Sequence, residues 1–120
     1  MILVDTSVWV DHFRRDNVGL RRLLDDATVS CHPFVFGELA CGTLRNRDAI
    51  LGMLERLPHA PVAQHPEVLA LIAARRLMGR GLGWIDAHLL ASALLDEGRL
   101  WTLDRSLKDA AERLGIAHTS

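Results

Sequence analysis

Nowhere in these 120 residues does the chain stay apolar for the ~20 positions that a membrane-crossing helix needs. Cysteine is scarce. Cys31 and Cys41 are too few for a disulfide scaffold and lack the spacing of a metal pair, so a reducing, cytoplasmic setting is expected. The opening MILVDTSVWVD meets Asp5 at once and carries no basic leader, so no secretory signal is expected. Excess charge is missing as well. Fourteen Lys plus Arg stand against fifteen Asp plus Glu, a formal net charge of −1, which excludes a basic arm as the means of gripping nucleic acid. Lysine is almost absent: Lys108 stands beside thirteen arginines. Guanidinium groups suit bidentate phosphate recognition, although the abundant alanine points to base composition as the main source of that bias. There is no internal repeat, linker or low-complexity tract. None of the six histidines pairs at zinc-site spacing, and no Ser-His or Cys-His arrangement stands out. GRGLG at 79–83 matches no phosphate-binding fingerprint and reads as a turn.

What is present is a globular composition, 49% apolar and 24% charged, in a length that suits one domain over 1–120. Short apolar runs alternate with longer periodic ones. Residues 2–4 and 28–30 read as strands, as do 100–103; 60–63 and 116–117 are further strand candidates. Helices are expected over 6–15, 19–27, 33–44, from Asn46 to before Pro58, from Pro66 through Leu77, 84–97 and 104–114. Pro33 and Pro66 suit first helical turns, Asn46 an N-cap and Gly98 a helix stop. Trp9, Trp84 and Trp101 read as core residues, as does His88. Strands that are short and uniformly apolar, alternating with helices, imply a parallel sheet covered on both faces. In such α/β folds ligands bind beyond the carboxyl ends of strands.

Two acids occupy that position. Asp5 follows the first strand and Asp104 follows the last main one. Each also suits a helix N-cap, and the two roles are compatible, since one oxygen can cap while the other binds a metal. Asp86 is the sole acid of WIDAHLLASALL, where a buried carboxylate needs a partner. Glu38 lies in PFVFGELACG, with Gly37 removing a side chain beside it, as if for close approach. Thr6 and Ser7 sit beside Asp5 at a helix start, placed to cap it or to hold a phosphate or a metal-bound water. Like charges gathered together repel, and a hard divalent cation relieves that cost. Oxygen-only ligands favour Mg²⁺ or Mn²⁺. With these four acids set aside, the 14 cations exceed the remaining acids by three, so a metal-loaded site can face an anionic substrate.

On these residues the chain resembles the PIN-domain ribonucleases, in particular the VapC toxins of bacterial toxin–antitoxin pairs. LVDTSVWVDHF matches the family's first acid, HPFVFGELACG the second, GRGLGWIDAHLLASALL the third and LWTLDRSLKDAAERLG the fourth. The resemblance covers essentially the whole chain. It implies a three-layer α/β/α sandwich around a parallel sheet. It implies catalytic acids at Asp5, Glu38, Asp86 and Asp104, with Asp5, Asp86 and Asp104 as metal ligands and Thr6 and Ser7 as a supporting polar pair. It further implies Mg²⁺- or Mn²⁺-dependent cleavage of structured transfer or ribosomal RNA, homodimerisation, and neutralisation by a cognate antitoxin. One position departs from the family: Ser106 stands where many members carry a further acid, which bears on a second metal site.

Other classes fit less well. A receiver domain needs adjacent acids after the first strand and a lysine after a late strand, whereas Thr6 follows Asp5 and Lys108 lies within the last helix. Cleavage of DNA uses the same metal chemistry, and a substrate assay separates it. A non-catalytic binding module is disfavoured because all four acids are present. Cleavage through the RNA 2′-hydroxyl usually relies on placed histidines, and none is placed by motif here. Hydrolysis by metal-activated water, leaving a 5′-phosphate and a 3′-hydroxyl, is therefore expected.

Overall fold

In the computed structural model, which describes residues 1–119, the elements run β1 (Ile2–Val4), α1 (Thr6–Arg15), α2 (Val18–Asp25), β2 (Val29–Ser30), α3 (Pro33–Cys41), α4 (Arg47–Arg56), α5 (His65–Ala74), α6 (Trp84–Leu95), β3 (Arg99–Trp101) and α7 (Arg105–Arg113). The strands form a parallel sheet in the order β2-β1-β3, with Leu3 opposite Ser30 on one side and Leu100 on the other. Single bridges at Cys31–His59 and Leu100–Ala117 prolong it by one residue at each edge. Neighbouring strand residues point to opposite faces. Leu3 and Val4 are both buried, so helices cover both faces and the PIN-like α/β/α layering follows.

The core helix is α6. Its seven consecutive residues 87–93 are buried, and it packs against β1 and β3. Trp9 and Val8 of α1 and Leu107 of α7 close the core from neighbouring elements. Burying one such large apolar side chain stabilises the fold by roughly 1.5–3 kcal/mol. Helix α1 starts because extended backbone at Asp5 turns into a run with buried positions at helical spacing. It ends at Asp16, whose left-handed backbone lets its N–H donate to the His12 carbonyl.

Several expectations need correction. The apolar stretch 60–63 forms no strand among the described residues; only His59 bridges to the sheet. Helix α3 stops at Cys41, where extended Gly42 breaks it, and not at 44. Helix α5 stops at Ala74, because Arg76 adopts a positive φ of 52° and turns the chain before Leu77. Asn46 precedes α4 but is itself left-handed, and its side chain makes no capping bond. The stop after α6 is made by Glu97, at φ 51°; Gly98 serves another end, since a Cβ there would collide with the Met1 carbonyl. Trp9 and Trp101 are core residues as expected, but Trp84 is 38% exposed and stacks on His65.

Candidate active site

The sheet brings Asp5 and Asp104 to one end. β1 and β3 are neighbours, and the Asp5 N–H donates to the Trp101 carbonyl at 2.9 Å. Asp5 is buried at 8% exposure, and its Oδ2 accepts from Ser7 Oγ at 2.8 Å and from Thr102 Oγ1 at 2.7 Å. It stands at the N-cap of α1 without capping it through its side chain, because those two hydroxyls hold it instead. Thr102 Oγ1 in turn accepts from the Asp104 N–H at 3.0 Å, and Ser7 Oγ from the Leu103 N–H at 2.9 Å. Asp104 caps α7 as expected, its Oδ2 accepting from the Leu107 N–H at 3.0 Å.

The other two acids come from helices. Glu38 on α3 is exposed, and its Oε1 accepts from Thr6 Oγ1 at 2.7 Å, which ties α3 to the start of α1. Asp86, in the first turn of α6, is partly buried, and its Oδ2 accepts from the Gly83 N–H at 3.0 Å. Burial pushes the Asp86 carboxyl above the ordinary carboxylate range. The Gly83 bond opposes that shift, while the charges of Asp5, Asp104 and Glu38 reinforce it. Asp5, Asp104 and Glu38 therefore all lie within electrostatic reach of Asp86.

Each carboxylate uses one oxygen in these bonds. Among the described residues, no protein hydrogen bond reaches the second oxygen of any of the four, and none of them forms an ion pair with an Arg, Lys or His. Four carboxylates without a protein cation suit a hard divalent ion in donor type and charge. In spacing the acids are open: among the described residues, no three His, Cys, Asp or Glu side chains stand close enough to form a ready ligand cage. Glu38 and Asp86 are each held by one hydrogen bond, whereas Asp5 is buried and held by two. The histidines offer no alternative. His32, His65 and His88 gather with Phe34 and Trp84, ring against ring, and His32 and His88 are buried. Burial lowers the His32 pKa to about 4, with His88 adding to the effect, and lowers that of His88.

Thr102 is the residue that sequence reading missed. A β-branched threonine at a strand end is ordinary for a strand, and only the parallel register brings its hydroxyl between Asp5 and Asp104. The expected close approach at Gly37 is absent: a Cβ there would meet nothing within 4 Å among the described residues. Nearer the acids, Gly81, left-handed at φ 77°, does allow one, since a Cβ there would lie 2.9 Å from Ser106 Oγ. The GRGLG turn thus lies against Ser106 at the start of α7.

The sheet thus carries acids at the carboxyl ends of two adjacent parallel strands, with two more on flanking helices. The PIN domain family profile matches residues 2–113, and the chain belongs to the PIN-domain family. It is also 51% identical over 118 residues, 98% of this chain and 95% of the relative, to Ribonuclease VapC32 of Mycobacterium tuberculosis strain CDC 1551 / Oshkosh. The same figures hold for the Ribonuclease VapC32 of strain ATCC 25618 / H37Rv. Among the described residues no helix is long and apolar enough to cross a membrane.

Proposed function

We propose that the chain, taken over 1–120 as one PIN domain, is a Mg²⁺- or Mn²⁺-dependent endoribonuclease of the VapC toxin kind. It works in the cytoplasm on structured transfer or ribosomal RNA. The observation that carries this reading is the set of four carboxylates, each with one oxygen free of protein hydrogen bonds and none paired with a cation. The similarity to a ribonuclease along nearly the whole chain supports RNA over DNA as substrate.

Asp5, Asp86 and Asp104 would hold the divalent ion, and Glu38 would complete the site. When bound, the ion stabilises charge on the phosphoryl oxygens and lowers the pKa of water beside it. The chain's own groups do the rest. Ser7 and Thr102 fix Asp5 so that Oδ1 faces the site. Asp104 keeps Oδ1 free while Oδ2 caps α7. The Thr6 and Ser7 N–H groups, unpaired within α1, face an incoming phosphate oxygen. Glu38 Oε2 would orient the attacking water and take its proton, while Asp86 Oδ1 faces the ion. Attack at phosphorus breaks the bond to the 3′-oxygen, which takes a proton from solvent and leaves as a 3′-hydroxyl, while the downstream fragment keeps a 5′-phosphate. None of the six histidines hydrogen-bonds to the four acids among the described residues, which fits water rather than the 2′-hydroxyl as nucleophile.

Partners follow the same reading. Beside Glu38, a depression of about 620 Å³ is lined by Pro33, Phe34, Gly37, Trp84 and Ile85, an apolar seat suited to a segment of a cognate antitoxin. Exposed Leu95 on α6 lines a further apolar groove with Leu71 and Leu94, a surface suited to homodimerisation.

The test is cleavage of pooled transfer and ribosomal RNA by chelator-stripped protein. Activity should return with Mg²⁺ or Mn²⁺, and the downstream products should ligate without kinase treatment. Activity in excess chelator, or products ending in a 2′,3′-cyclic phosphate, would overturn the proposal.

A further inference from the structure

Helix α3 starts on a cap that works in one protonation state only. His32 Nδ1 accepts from the Phe34 N–H at 3.0 Å, and the His32 carbonyl accepts from the Phe36 N–H at 3.0 Å. An imidazolium carries a proton on both ring nitrogens and accepts at neither. Protonated His32 would set N–H against N–H at the first turn. The neutral ring keeps its proton on Nε2, a buried atom with no hydrogen-bond partner among the described residues. His32 is 0% exposed, so a charge placed there has no water to solvate it.

The surroundings compensate little. Facing His32 from α6 is His88, 6.3 Å away between ring centres and also buried. His65 of α5 stands beyond it, 5.4 Å from His88, and is exposed. Towards α4, His32 borders a hollow of about 300 Å³ together with Cys31, Glu55 and His59. Burial pushes the Cys31 thiol up to about 11, so it stays neutral in acid. Glu55 is the one anion there, and it is exposed, where water screens it. Among the described residues His32 forms no ion pair.

The turn that His32 caps carries Phe34, whose ring meets that of His32 at 5.0 Å and that of His88 at 4.8 Å. Phe34 also lines the apolar depression beside Glu38, and Glu38 stands one turn further along the same side of α3. We propose that His32 is an acid-sensitive latch on the first turn of α3: its protonation unseats Phe34 and opens the depression beside Glu38, while the sheet and α7 stay folded. The latch belongs to the fold around the site and does not depend on the ribonuclease reading. An opened turn gives His32 to water at its ordinary value of 6.5, whereas the closed turn holds it at about 4. Acid therefore favours the opened turn, and the opening equilibrium should rise about twentyfold from pH 7 to pH 5.

Amide hydrogen exchange followed by NMR on the full chain, corrected for the intrinsic effect of pH, tests this. Protection at Phe34 and Phe36 should fall about twentyfold from pH 7 to pH 5. Protection at Leu100 of β3 and at Leu114, bonded to the Ala110 carbonyl at the end of α7, should stay within about twofold. His32→Asn supplies an acceptor for the cap without a titrating group, and its α3 protection should not change with pH. In the wild type alone, unchanged protection at Phe34 and Phe36, or an equal loss at Leu100 and Leu114, overturns the latch. A folded His32→Asn chain whose α3 protection still falls in acid overturns it as well, since another group would then be the trigger.

Discussion

The two halves of the acid cluster are built differently. The strand half is locked: Asp5 is buried, takes two hydroxyl bonds on one oxygen, and is linked through Thr102 to the backbone of Asp104. The helix half is adjustable: Glu38 is exposed on the short helix α3, and Glu38 and Asp86 are each held by one hydrogen bond. A site made only of locked acids would suffer full repulsion in the absence of a cation. A site made only of adjustable ones would lose the order that chemistry needs. The division gives a fixed platform at the sheet end and two more loosely held acids beside it.

The largest effect expected from this contrast is on catalysis. Asp5→Asn should lower cleavage by on the order of 10²-fold or more, the scale of losing one charged or polar group at a transition state. Glu38→Gln should cost less, because its neighbours can re-aim. Steady-state kinetics on one RNA substrate compares them, and an equal or greater loss for Glu38→Gln would break the distinction.

The hydroxyls behind the acids sharpen it. Thr102→Val leaves Asp5 Oδ2 short of a bond in a buried setting and should reduce metal affinity about 10–100-fold. Thr6→Val releases only exposed Glu38 and should cost less than about tenfold. Mn²⁺ titrations of the two variants give the ranking directly.

A smaller effect is on the stability of the metal-free protein. Asp86 has its carboxyl pKa raised in the fold, so the unfolded chain releases that proton at lower pH than the folded one. Ionisation of Asp86 thus opposes folding as pH rises through its folded-state pKa, and the loss is reversed on acidification. Asp86→Asn should raise the metal-free melting temperature by roughly a few degrees at neutral pH while severely lowering cleavage. A lowered melting temperature would contradict the repulsion argument.

The smallest effect concerns the root of the helix half. His32 caps α3 through Nδ1, which accepts from the Phe34 N–H at 3.0 Å, and its pKa is lowered to about 4. The fold needs this imidazole neutral. Its contribution is intact above about 6.5, the ordinary value, and is lost as pH falls from there towards 4. His32→Asn keeps a good cap and should flatten the fall of melting temperature over that range. An unchanged slope would remove His32 as the cause.

The locked half was largely legible in the sequence. An acid directly after a short apolar strand and before a helical pattern can hardly sit elsewhere than at the sheet's carboxyl end, and Asp104 capping α7 matches this. Thr102 was illegible, because its role depends on which strands pair. The apolar pattern also overran at α5: Ile72 and Leu77 continue the stripe, but left-handed Arg76 turns the chain between them. At 60–63 apolar residues suggested a strand, yet Ala60 and Ala63 are buried there without a ladder. Trp84, apolar by type, ends up stacked on His65 at the surface, since the helix start it occupies faces outwards.

The central claim is that these four carboxylates share one divalent ion, anchored by the strand half. Electron paramagnetic resonance of Mn²⁺ titrated into chelator-stripped protein tests it most directly, since bound ion is read apart from free ion and without any RNA. The account predicts a saturable site in the wild type that Asp5→Asn abolishes and Glu38→Gln only weakens. A wild type that binds no Mn²⁺, or a site that survives Asp5→Asn unchanged, would contradict it.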